Sequence, residues 1–145
     1  MSRFSTSGSA LATAANTNVI SFRSTASQRV MLEEIGLFAE AATALAASLF
    51  LTTVVDTAGT AVALQKDDPG AGTASITCVT GPTGGTLAGT ASRRAHIPAV
   101  IGAGIVWAWP TNDGLLVPLS LSLVVRNAGG AAGPAITWYA SLREV

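Results

Sequence analysis

The chain has 145 residues, 49% of them hydrophobic and only 11% charged, where an ordinary soluble domain carries about 25% charged side chains. Eight Lys and Arg balance eight Asp and Glu, which leaves no electrostatic footprint for a nucleic acid or an anionic membrane surface. Ala, Gly, Ser and Thr make up about half the chain and aromatics 6%, so the apolar surface is one of small side chains; a length of this kind suits one domain with its own core. A surface of near-zero charge favours association, and the chain is expected to be a subunit of an assembly.

Residues 1–17 are polar, small and aperiodic and read as an extended N-terminal arm, of the kind that lies on a neighbour; residues 18–145 read as one β domain. Residues 18–24 alternate, with Ile20 and Phe22 on one face and Ser21 and Arg23 on the other, the pattern of a half-buried strand. Over 28–40 the alternation changes parity, from Val30 and Leu32 to Ile35 and Leu37. One inserted residue at Glu33-Glu34, a β-bulge, produces such a switch. A helix competes here, because Val30, Met31, Glu34 and Leu37 also fit a 3.6 period and the Ala-rich stretch 39–47 favours helix.

Residues 48–57 fit a buried strand closed by a turn. A short strand or single turn at 61–65 and a polar loop at 66–72 lead to a strand at 74–80, with Ile76 and Cys78 on one face. Gly81-Pro82-Thr83-Gly84-Gly85 breaks the chain. The stretch 86–94 carries no readable pattern, and 96–101 resumes as a strand whose Pro98 favours an edge. Residues 105–109 are β-rich, and the turn 110–114 ends in Asp-Gly, which favours a hairpin. The leucines of 119–123 alternate with serines as a sheet face, 127–134 is a loop, and 135–144 alternates Ile136, Trp138, Ala140 and Leu142 against Thr137, Tyr139, Ser141 and Arg143. Short strands separated by Gly/Pro turns indicate an all-β antiparallel sandwich or jelly roll, with one short Ala-rich helix as an open alternative.

Chemistry is sparse in the sequence. Cys78 is the only cysteine and His96 the only histidine, so neither a disulfide framework nor a zinc site is expected, and His96 beside Arg93-Arg94 reads as a surface residue. No G-x-S-x-G, Walker or dinucleotide-binding motif is present; no catalytic residue, cofactor or metal is expected. Residues 35–55 are long enough to span a bilayer, but they are dominated by Ala, hold Glu40 and lack flanking Lys or Arg. The N-terminal residues lack the apolar core of a signal peptide, which suits synthesis in the cytoplasm. Trp107 and Trp109 share a parity and read as core or interface anchors, with a sugar-stacking platform as the rival.

Three stretches, Arg29-Val30-Met31-Leu32-Glu33-Glu34-Ile35-Gly36, Gly114-Leu115-Leu116-Val117 and Ile136-Thr137-Trp138-Tyr139-Ala140-Ser141-Leu142-Arg143-Glu144, resemble the small jelly-roll virion proteins of tailed bacteriophages, over most of the chain from about Asn18 onward. In that group, decoration (cement) proteins sit on the outside of the capsid, commonly as trimers, and related sandwiches form head-fibre bases or tail components. The resemblance implies a structural protein of the virion's capsid surface, made in the host cytoplasm. Its partners would be the major capsid protein and further copies of itself, with a trimer favoured and neither nucleic acid nor membrane involved. Arg and aromatic side chains dominate interface energetics, so the candidate interface residues are Arg3 and Phe4 in the arm, Arg93, Arg94, Trp107, Trp109, Trp138 and Tyr139. The alternatives are a carbohydrate- or receptor-binding module of a head fibre or tail, using Trp107 and Trp109, and a small membrane protein.

Overall fold

The computed structural model describes residues 2–145. In chain order the strands are β1 (Arg3–Leu11), β2 (Thr17–Arg23), β3 (Val30–Ala39), β4 (Leu45–Val54), β5 (Thr60–Val62), β6 (Gln65–Lys66), β7 (Thr77–Thr80), β8 (Thr86–Leu87), β9 (Arg93–Ile97), β10 (Gly104–Ala108), β11 (Leu115–Val117), β12 (Ser122–Asn127) and β13 (Ile136–Glu144). One sheet runs β10-β3-β13-β1-β6 with β11 also on β3; the other runs β5-β7-β2-β12-β4-β8 with β9 also on β4. Every pairing is antiparallel. The two sheets pack face to face as a β-sandwich, and the fold contains no helix among the described residues.

Successive strands from β1 to β4 alternate between the sheets, so each contributes one apolar row to a shared core. Phe4, Phe22, Leu32, Ile35, Leu37, Leu49, Leu123, Ile136, Trp138 and Leu142 are fully buried there. The parity switch in β3 is a bulge: Ser141 pairs Glu34 while Leu142 pairs Leu32, which leaves Glu33 as the extra residue. Val30 and Leu32 on one side of it and Ile35, Leu37 and Ala39 on the other all reach the core. Without the inserted residue one set would face solvent.

The Ala-rich stretch is the end of β3, a turn at 40–44 and the start of β4. Leu45 and Ala47 are buried in the core, and Ala46 and Ala47 pair with His96 and Ala95 of β9; sheet pairing on a packed surface outweighs the alanine preference for helix. The same turn divides 35–55 into two strands, and no helix among the described residues is long and apolar enough to cross a membrane.

The expected N-terminal arm is corrected. Residues 3–11 form β1, seated between β13 and β6 in register from Arg3 opposite Arg143 to Leu11 opposite Ile136. Phe4, Thr6 and Gly8 face the core, and Gly8 is required there because the Trp138 indole fills the space a Cβ would occupy, 2.7 Å from Nε1. A strand whose inward positions are Phe, Thr and Gly carries no amphipathic signal, which is why it reads as aperiodic.

Two further expectations change. The 110–114 turn closes no hairpin: β10 and β11 run in the same direction along β3, pairing Phe38 to Glu34 and then Leu32 to Val30. Residues 109–114 are an excursion at the bulge, where Trp109 N donates to Glu33 O at 3.0 Å. The leucine–serine alternation of 119–123 enters the sheet only at Ser122, since Ser120 takes a left-handed φ of 57° as the chain crosses from β11 to the other sheet.

Links 55–59 and 81–85 each run between opposite sides of the second sheet and bond to one another through Thr57 and Thr83, at 2.8 and 2.9 Å. Gly59 lies against Val79, and Val79, Phe50 and Val124 are all buried though outside the main core. This accounts for β4 and β12 being apolar on both faces. The links are pinned by Asp56, which accepts from Arg23 Nε at 3.0 Å.

Candidate functional site

Strand directions bring four connections to one end of the sandwich: 12–16 after β1, 40–44 after β3, 98–103 after β9 and 128–135 after β12. They consist mainly of Ala and Gly, and Glu40 is the one charged residue in them. Val100 and Ile101 stand at the tip of the 98–103 connection with 58% and 69% exposure, the latter the most exposed large hydrophobic of the described residues.

This end is cross-tied. The buried Asn127 side chain donates to Thr13 O and Ala131 O and accepts from Gly129 N, at 2.9 to 3.1 Å. Thr13 Oγ1 donates to Pro134 O at 2.6 Å, and Gly133 N to Thr13 O at 2.8 Å. The apolar tip is held by Gly102 N donating to Ala39 O and Ala39 N donating to Ala103 O, both 2.8 Å. Ala10 N and Thr137 Oγ1 donate to Glu40 Oε1 at 2.9 and 2.6 Å, and these two bonds hold its carboxyl below the usual carboxylate range. Buried Asn and Thr side chains thus replace the ion pairs that fix loops elsewhere.

The opposite end is charged. At the β3 bulge, Glu33 takes Arg3 Nε on one oxygen at 3.2 Å and Arg143 Nη2 on the other at 2.9 Å. Arg143 also donates to Asn112 Oδ1, which ties the 109–114 excursion to the sheet. Arg143 is buried although it lies on the outward side of β13, because the bulge and the excursion cover it.

The expected interface residues are dispersed. Phe4 and Trp138 are corrected to core positions, at 0% and 1% exposure, and a side chain without free surface cannot anchor a partner. Arg3 is exposed and paired with Glu33. Trp107 and Trp109 do share a side, but it is the inner one: both pack against the core at the edge between the sheets, where the Arg93 guanidinium lies 5.5 Å from the Trp109 ring. That cation–π contact seals the edge. Arg94 is exposed on β9 opposite Ser48. Tyr139 lies on the outer face of the first sheet, its hydroxyl donating to Glu34 Oε1 at 2.5 Å.

Cys78 is a buried thiol pushed up to about 12 by desolvation, the behaviour of a small core hydrophobe. His96 is exposed on β9 opposite Ala46. Asp68 Oδ1 accepts from Gly70 N at 2.8 Å, a local turn bond, and no group of three His, Cys, Asp or Glu among the described residues is placed to hold a metal ion. Comparison of the chain with protein-family models, with curated proteins and with solved structures gives no match.

The residues that build the uncharged end, Thr13, Asn127, Val100 and Ile101, were not among the sequence candidates. Their signal is present only as loop composition: four separate Ala/Gly stretches that share an end once strand directions are known.

Proposed function

We propose that the chain is a capsid decoration protein of the tailed-phage type, which binds between neighbouring subunits of a major capsid protein through the uncharged end of its sandwich and acts as a homo-oligomer, with a trimer expected. The observation that carries this reading is the cross-tied end bearing Val100 and Ile101. Three physical arguments support it. Ala and Gly lose no side-chain rotamer entropy when covered. An end with one carboxylate presents little charge to desolvate. Loops already held by hydrogen bonds do not have to be ordered on binding. Val100 and Ile101 then supply the aliphatic anchors of the contact.

The test is co-sedimentation with assembled heads of the matching capsid protein. Val100→Asp with Ile101→Asp should lower occupancy at least tenfold, a change of about 1.4 kcal/mol, with the circular dichroism spectrum unchanged. Binding of the native chain should persist in 1 M salt, since the single carboxylate of this end, Glu40, is already engaged by Ala10 and Thr137 and the contact is otherwise uncharged. Unchanged occupancy of the double variant overturns the reading. Mass determination in solution reads the oligomer.

A further inference from the structure

A second surface lies on a sheet face. Beside β1 and β13 of the first sheet, where the segment 62–65 crosses over from β5 of the second sheet to β6, lies a groove of about 350 Å³, within the size range of small-ligand sites, lined among others by Ser5, Ser7, Val62, Gln65, Tyr139 and Ser141. We infer that this groove is a binding site for a neutral saccharide.

The chemistry of the lining selects that class. No charged side chain lines the groove, and the one carboxylate beside it, Glu34, already accepts from the Tyr139 hydroxyl, so the groove offers no cation for a phosphate or carboxylate. It does offer hydroxyls and a carboxamide. Two internal hydrogen bonds involve its wall: Thr6 Oγ1 donates to Ala63 O at 3.0 Å, and Tyr139 donates to Glu34. The side chains of Ser5, Ser7, Gln65 and Ser141 make no hydrogen bond to other described residues and remain free to exchange bonds with a polyol.

The aromatic wall is fixed in advance. The Tyr139 ring occupies the space above Gly36, where a Cβ would come within 2.2 Å of Cε1. It lies nearly parallel to the Phe38 ring, 17° apart with centroids separated by 6.4 Å. Phe38 itself lies over Gly104, 2.4 Å from where a Cβ would stand. Gly36 and Gly104 have ordinary backbone angles, so what they supply is room for the two rings. The bond to Glu34 pushes the Tyr139 phenol up and, by engaging the hydroxyl, fixes the far end of the ring. An immobilised aromatic surface beside free hydroxyls matches a sugar, whose C–H face is apolar and whose rim is polar. Trp107 and Trp109, which pack between the sheets, do not offer this.

The site is independent of the uncharged end, so it can be occupied while that end is engaged. The experiment is saturation-transfer NMR and binding to an array of neutral oligosaccharides that includes cellotetraose, maltotetraose and chitotetraose, with the full chain. At least one glycan should bind, and Tyr139→Ala should weaken it tenfold or more. Because Tyr139→Ala also uncovers Gly36, a second variant, Ser5→Val with Ser141→Val, removes hydroxyls without touching the core. It should lower affinity comparably while the melting temperature stays within a few degrees. Both variants should keep full occupancy on capsids, which separates this site from the decoration reading. Absence of binding to every neutral glycan, or binding unchanged in the Ser5/Ser141 variant, overturns the assignment.

Discussion

The two ends of the sandwich solve one problem with different chemistry. Both must fix loops whose backbone groups the sheets do not satisfy. The end containing Glu33 uses charge, with one carboxylate bridging Arg3 and a buried Arg143, which in turn holds the 109–114 excursion through Asn112. The other end uses the neutral groups Asn127 and Thr13, bonded to carbonyls at 131, 134 and 13. The first arrangement leaves a charged surface that water holds strongly. The second leaves a firm surface of Ala, Gly, Val and Ile that can be dried at small cost.

The difference can be broken in stages. The largest effect is expected from the strand that serves both ends. Phe4→Ala in β1 should cost about 3 to 5 kcal/mol, as for other buried aromatics, read as a lower urea midpoint, and deletion of residues 2–11 should abolish folding instead of freeing an arm. At the charged end, Glu33→Ala leaves Arg143 buried without its carboxylate and should cost about 3 kcal/mol. Head binding by the folded fraction should be unaffected, and a loss of binding there would place the contact at the wrong end.

At the neutral end, Asn127→Ala leaves the carbonyl at 131 without this donor and Gly129 N without its acceptor, and should cost roughly 1 to 3 kcal/mol. Unlike the Glu33 change, it should also weaken attachment to heads, because the loops lose their order. Glu40 gives a pH test. Its folded pKa lies below the unfolded value, so its contribution is present above the unfolded pKa and disappears as pH falls through the folded one. The stability advantage of the native chain over Glu40→Gln should therefore be seen at neutral pH and vanish in acid; an advantage growing in acid would contradict the bonds from Ala10 and Thr137. The smallest effect is Ala10→Gly. Ala10 holds a φ of 53° at the β1 irregularity, and relief of that backbone should raise stability by up to about 1 kcal/mol.

Much of the fold was legible in the sequence. Alternation located β2, β7 and β13, and the change of parity marked Glu33-Glu34 as the place for a bulge, with a helix left open until the β13 register decided it. These are local signals, since a period of two residues survives wherever large side chains alternate with small or polar ones. The candidate site was barely legible. Aromatic and Arg residues were the natural choices for an interface, yet Phe4 and Trp138 are core, and Trp107, Trp109 and Arg93 seal the edge between the sheets. No residue-type rule separates an aromatic that anchors a partner from one that closes its own sandwich.

By itself the sequence determined the scarcity of charge, a mainly β class, and a change of parity at Glu33-Glu34 that fitted either a bulged strand or a helix, because composition and short-range periodicity need no knowledge of what lies across the sheet. Only the tertiary structure decided that residues 3–11 are a strand, that β10 and β11 lie on one partner, and that four Ala/Gly-rich loops share an end. Each of those depends on pairing between residues far apart in the chain. Strands of small residues such as Ser5, Thr6, Ser7 and Gly8 are defined by such neighbours alone, as Gly8 is by the indole of Trp138.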